Sequence, residues 1–340
     1  MTFGKRLKLS LLAGCLCTLL GSGLLLFLIP SIRTTALAIL ITCAVVFGLA
    51  LLLVFLLEGK SAKIRVPVFT ALVVVAVLAV SCVIIYNFGN SMVYHPAFDE
   101  DAYEELTEMK SSAVELSADG LSGWRIPAAS VGDDKPRPVI LYFGGNGENS
   151  ARKVLNILNN DELSFLYDRC DFIFIDYPSY GLSEGTVSES ALRDYALRAY
   201  DIAVSLDTTS SVTVFSYSLG NGPAVYLASR DEADISNLVL LAPYNSGLDL
   251  FNNYVDIFHG PFALLASYRM PVYSYASDVT CPVTIIASAD DEIIPIESSR
   301  ALFSELSQSN CNFITVEGVL HNDFMSDEQT LNSLRTAIGG

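Results

Sequence analysis

Residues 212–228 constrain this chain more than any other stretch. Residues 212–215 form a short apolar run of the kind a buried strand presents. Ser216-Tyr217-Ser218-Leu219-Gly220 follows, and a helical pattern begins at Pro223. A strand that turns this sharply into a helix strains the residue at the apex and exposes its side chain above a sheet. Small residues two before and two after Ser218 let neighbouring backbone pass close by. A serine hydroxyl is a poor nucleophile at neutral pH. It needs a base to take its proton and an acid to orient that base.

The chain has three histidines. His95 precedes the turn, in Met92-Val93-Tyr94-His95-Pro96. His259 lies in an aromatic, irregular stretch that suits surface or packing work. His321 follows an apolar strand pattern near the end of the chain, where a base placed by the last strand would stand. Two carboxylates compete for the acid, since Asp290 and Asp291 both follow the apolar run 283–287. A fourth element, Gly144-Gly145-Asn146-Gly147-Glu148-Asn149, follows the apolar run 139–143. Glycines there let backbone approach a substrate, so that a turn amide donates to a developing oxyanion.

Together these segments resemble the α/β-hydrolase family, over about residues 91–340. The lead-in Met92-Val93-Tyr94-His95-Pro96 is similar to that of membrane-anchored members of the serine aminopeptidase and bud-emergence type. The family pattern Gly-x-Ser-x-Gly is matched with Ser216 in place of the first glycine. The resemblance implies the chain order Ser218, then Asp291, then His321. Aligning Gly-x-x-Asp-x-x-(Val/Ile)-Pro on Pro295 puts Asp291 in the acid position, with Ser288 for the glycine and Asp290 as a loop carboxylate or cap. The family turn is typically His-Gly-Asn, and Gly144 stands where its histidine would be. One oxyanion donor is then the amide of Leu219, and the other that of Gly145 or Asn146. The segment 171–185 resembles the family's Asp-Tyr-x-Gly-Tyr-Gly-x-Ser-x-Gly loop, with Pro178 and Ser179 departing from it, and has no chemistry assigned. In such a fold the strands after Cys281 and Cys311 are neighbours, which puts a disulfide within reach. No Cys/His spacing suggests a metal, and no cofactor is implied.

Strand patterns at 113–118, 121–126, 139–143, 172–175, 212–215, 238–241, 283–287 and 312–316 predict an α/β domain. It has a mostly parallel eight-stranded sheet, opened by an antiparallel hairpin over Asp119-Gly120. The aromatic-rich segment at about 245–279 falls where this fold carries a cap. Its rings suit a small core of their own or an acyl-chain pocket.

Residues 1–90 read differently. Apolar runs at 9–29, 35–57 and 66–86 carry no internal charge and have the length of membrane crossings, so three transmembrane helices are expected before the hydrolase domain. Basic residues cluster at 5–8 and 60–65 but not between the first two runs. This predicts a multi-pass protein of the cell membrane with its catalytic domain outside the cytoplasm. The first ninety residues carry seven Lys/Arg and one Glu against a net charge of −17 for the chain, so the rest is strongly acidic. That argues against a nucleic-acid partner. The expected partners are the lipid bilayer and a small or lipid-like acyl substrate. The expected activity is hydrolysis of an ester or thioester through an acyl-enzyme. A peptidase or amidase on the same residues, or a non-catalytic hydrolase-like binding module, are the alternatives.

Overall fold

The computed structural model describes residues 61–339 apart from 110, 111, 133, 255 and 307–309. Residues Val93–Ala263 and Tyr268–Gly340 make up one compact unit. Its centre is an eight-stranded sheet: β1 (Val114–Ala118), β2 (Leu121–Ile126), β3 (Arg137–Phe143), β4 (Asp171–Ile175), β5 (Thr209–Tyr217), β6 (Ile235–Leu241), β7 (Val283–Ser288) and β8 (Cys311–Val316). The spatial order is β1-β2-β4-β3-β5-β6-β7-β8. β1 pairs antiparallel with β2, and β2 antiparallel with β4. Every other pairing is parallel. The hairpin closes over Asp119 and Gly120, both at positive φ (51° and 76°), which matches the right-handed twist of its strands.

The central strands are apolar on both faces, as a parallel sheet covered by helices requires. All five residues of β4 and all six of β7 are buried. Tyr142 of β3 packs edge-on to Phe174 at 5.0 Å and tilted against Phe215 at 5.0 Å, joining three neighbouring strands in one aromatic cluster. β5 is longer than its apolar run. It begins at Thr209, because the polar residues 209–211 pair with the start of β3 where periodicity of apolar side chains gives no signal.

At the amino ends of β3 and β4 a charge pair is buried. Arg137 Nε lies 2.6 Å from Asp171 Oδ1, which also accepts from the Ala128 amide at 2.9 Å. Arg125 Nε stands 3.6 Å from the other carboxylate oxygen.

Among the described residues the structure does not contain the three transmembrane helices expected over residues 1–90. Among the described residues no helix is long and apolar enough to cross a membrane. The runs 9–29 and 35–57 lie outside the described residues. The run 66–86 falls in a helix, α1 (Ala62–Val93), that contains Pro67.

The helices of the large unit are α2 (Glu100–Glu108), α3 (Ser150–Leu158), α4 (Glu189–Val204), α5 (Asn221–Ala228), α6 (Gly247–Tyr254), α7 (Val272–Ala276), α8 (Ile296–Glu305) and α9 (Glu328–Gly339). The aromatic segment 245–279 contributes α6 and α7. Its rings divide three ways. Phe251 and Phe258 pack on each other at 5.1 Å. Tyr268 and Tyr275 pack on the body of the fold, against Tyr244 and Tyr226. Phe262 is 62% exposed. Cys281 and Cys311 flank neighbouring strands but are not bridged.

Candidate active site

The carboxyl ends of the parallel strands converge on one edge of the sheet, and the four sequence elements meet there. β5 ends at Tyr217. Ser218 takes φ = 52°, a left-handed conformation that serine rarely adopts, and α5 starts at Asn221. Gly220 is required by contact: a Cβ there would stand 2.2 Å from the Phe143 carbonyl oxygen at the end of β3. Ser216 does more than substitute for a small residue. Its buried hydroxyl lies 2.8 Å from Asn221 Oδ1. Asn221 Nδ2 in turn donates to the carbonyls of Ser218 (2.8 Å) and Leu241 (2.9 Å), pinning the strained turn to the end of β6.

Ser218 Oγ lies 2.9 Å from His321 Nε2. His321 Nδ1 lies 2.8 Å from Asp291 Oδ2 and 3.0 Å from Oδ1. A carboxylate facing Nδ1 fixes the proton there, so Nε2 is left to accept from the serine hydroxyl. Asp291 Oδ1 also accepts from the amides of Ile293 and Ile294 at 2.9 and 2.8 Å, which hold the carboxylate in place. Ser218, Asp291 and His321 are only 9%, 7% and 6% exposed, so water screens these contacts weakly. Asp290 turns away from the imidazole and accepts from the Gly318 amide at 2.7 Å, bracing the loop that carries His321. Glu292 accepts from the His321 amide at 3.0 Å, which holds its carboxyl below the usual value. Tyr217 stacks on the His321 ring and donates its hydroxyl to the His321 carbonyl. Burial pushes that phenol well up, which keeps it a donor.

The turn after β3 lies against the nucleophile: a Cβ added at Gly145 would be 3.7 Å from Ser218 Cβ. Its two candidate amides are not equivalent. The Gly145 N–H donates to Glu148 Oε2 at 2.8 Å, so this amide is engaged within the turn. The Asn146 N–H has no such acceptor among the described residues. Glu148 also accepts from Tyr142 at 2.8 Å and from Lys153 at 2.6 Å. Burial pushes Glu148 up, but Lys153 and the two other donors outweigh it and hold its carboxyl below the ordinary value.

Two residues that sequence reasoning left without a role sit beside this turn. His95 donates its amide to Asn146 Oδ1 at 3.0 Å, and its Nδ1 lies 2.9 Å from Asn146 Nδ2. Tyr180 donates to the same Oδ1 at 3.0 Å. The only sequence signal was their position in the lead-in and in the 171–185 loop. His259 pairs with Asp256 on the surface, away from this constellation. Asp176, in the same loop, is buried at the start of α3, accepts from Ser150 N at 2.7 Å, and is pushed up to about 6 by burial. Among the described residues no group of three His, Cys, Asp or Glu could hold a metal ion.

No family model matches the chain. It is 21% identical over 276 residues to protein bem46 of Schizosaccharomyces pombe, covering 78% of this chain and 90% of that protein. It is 29% identical over 182 residues to the alpha/beta hydrolase domain-containing protein aho-3 of Caenorhabditis elegans, covering 52% of each. An uncharacterized protein of Mycobacterium tuberculosis is 30% identical over 268 residues, covering 74% of this chain and 89% of its own. Among solved structures, the Pyrococcus furiosus esterase Pf2001 superposes with a TM-score of 0.54 at 15% identity, covering 72% of this chain and 94% of that one. At that identity the likeness concerns the fold.

Proposed function

Because the chain belongs to the α/β-hydrolase family, we propose that it is a serine hydrolase acting on a carboxylic ester or thioester. The observation that carries this reading is the unbroken contact chain from Ser218 Oγ through His321 to Asp291, at 2.9 and 2.8 Å. Ser218 Oγ attacks the carbonyl carbon as its proton passes to His321 Nε2. Asp291 orients the ring and stabilises the imidazolium. The carbonyl electron pair moves onto oxygen, where the amides of Leu219 and Asn146 receive it. Collapse expels the alkoxide or thiolate, which takes the proton from Nε2. Water then attacks the acyl-enzyme, gives its proton to the same nitrogen, and releases the acid as the proton returns to Ser218.

A structural neighbour is an esterase, which fits an ester substrate, although that activity is said of that protein alone. The preference for a lipid-like acyl chain rested on the membrane crossings and is not carried forward. Labelling with a fluorophosphonate probe tests the reading. Covalent capture by the wild type that is lost in Ser218→Ala supports it. A folded wild type that stays unlabelled and cleaves no ester refutes it.

A further inference from the structure

The turn after β3 departs from the family pattern at Gly144, and the structure shows what fills the place. A Cβ on Gly144 would stand 2.5 Å from Phe174 Cζ and 2.9 Å from Glu148 Oε2. A carboxylate that arrives from four residues further along the chain thus occupies the space a side chain at 144 would need. Glu148 uses both oxygens, taking the Gly145 amide and the Tyr142 hydroxyl on one and Lys153 on the other. On the opposite side, the Asn146 side chain is gripped by His95 and Tyr180. Asn149 anchors the far end of the turn by capping α3 through the Arg152 amide. The peptide between Gly145 and Asn146 is therefore held from both sides, close to Ser218.

We propose that Glu148 is a positioning residue: by capturing the Gly145 amide it fixes the Asn146 amide as the second donor of the oxyanion site. This rests on the serine-hydrolase reading. An amide committed to a carboxylate cannot turn toward a second anion. Lys153 supplies the neutralising charge, without which a bare carboxylate this close would repel the developing oxyanion. Glu148 touches no reacting atom and acts through backbone geometry alone.

The test combines steady-state kinetics on a phenyl ester with the affinity of a trifluoromethyl ketone, whose tetrahedral adduct carries the oxyanion. Losing an oxyanion donor outright costs about 10²–10³ in kcat, so Glu148→Ala should lower kcat by roughly 10- to 100-fold. Ketone affinity should fall by the same factor, with KM nearly unchanged. Glu148→Gln, whose amide oxygen can still accept from Gly145, should restore most of both. If Glu148→Ala does not fold, Glu148→Asp carries the test, because it keeps the charge but draws the carboxylate back by one methylene. It should lose kcat in the same way. Wild-type kcat in the folded Ala or Asp variant, or a fall in kcat without a fall in ketone affinity, overturns the proposal. If the wild type still labels at Ser218 in that case, the serine-hydrolase reading stands and only the role of Glu148 falls. An unlabelled wild type removes both.

Discussion

The two ends of the central strands each bury charged groups, and they use them differently. At the amino ends, Arg137 and Asp171 open β3 and β4, opposed at 2.6 Å, and their partners are backbone groups and Arg125. At the carboxyl ends the backbone leaves its regular geometry: Ser218 takes φ = 52° and Ala242, just past β6, takes φ = 48°. There the charged groups line up as a relay from Asp291 through His321 to a hydroxyl at the strained position. The amino ends close a charge pair on itself. The carboxyl ends set one member of the relay on a strained residue, positioned to react. The same sheet supplies the stiffness for both.

Four experiments would break or sharpen this contrast. The largest effect belongs to Ser218→Ala, which should lower kcat by about 10⁴- to 10⁶-fold. Its melting temperature should stay close to that of the wild type. A large fall in both would mean that the carboxyl end also carries the stability. Arg137→Met should do the reverse. It strands a buried carboxylate and should cost about 3–5 kcal/mol of unfolding free energy in a denaturant titration, with kcat of the folded protein unchanged. Adding Asp171→Leu to it should recover most of that loss.

The third experiment concerns Asp176, whose carboxyl is raised from 3.8 to about 6 in the fold. The native state then holds this proton more tightly than the unfolded chain. Its stabilising contribution is complete below about pH 3.8 and is lost as pH rises through about 6, for a total on the order of 3 kcal/mol. Melting curves from pH 4 to 7 should therefore slope less steeply in Asp176→Asn. An unchanged slope would show that Asp176 is not the titrating group. The smallest effect belongs to Tyr217→Phe. Losing the hydroxyl that holds the His321 carbonyl should cost about 1 kcal/mol in stability and a few-fold in kcat, by melting and ester assay.

Much of this was legible in the sequence because the chemistry sits where a pattern changes. The serine lies where an apolar strand becomes a helix, and His321 follows the last strand. The ambiguity between Asp290 and Asp291 was a matter of one residue. Alignment on Pro295 favoured Asp291, and the structure puts Asp291 on the imidazole and Asp290 on the Gly318 amide. The role of Glu148 was illegible, because it depends on a carboxylate folding back over its own turn, which no spacing encodes. His95 and Tyr180 reach Asn146 from 51 and 34 residues away in sequence. The apolar runs of residues 1–90 misled because hydropathy alone predicted crossings, whereas among the described residues no helix is long and apolar enough to make one. The start of β5 was missed because polar residues pair in a sheet as well as apolar ones do.

The bond between Ser216 and Asn221 also restricts how a chain like this can change. Ser216→Gly alone would leave the Asn221 oxygen buried without its donor, at a cost of about 1–3 kcal/mol. Replacing Asn221 first would strand the serine hydroxyl and release the carbonyls of Ser218 and Leu241. Each residue is thus a condition for the other, and drift at either position is closed unless both move together. A lineage that acquired this pair would be held to it by the depth of the intermediate step, whatever substrate its descendants came to cleave.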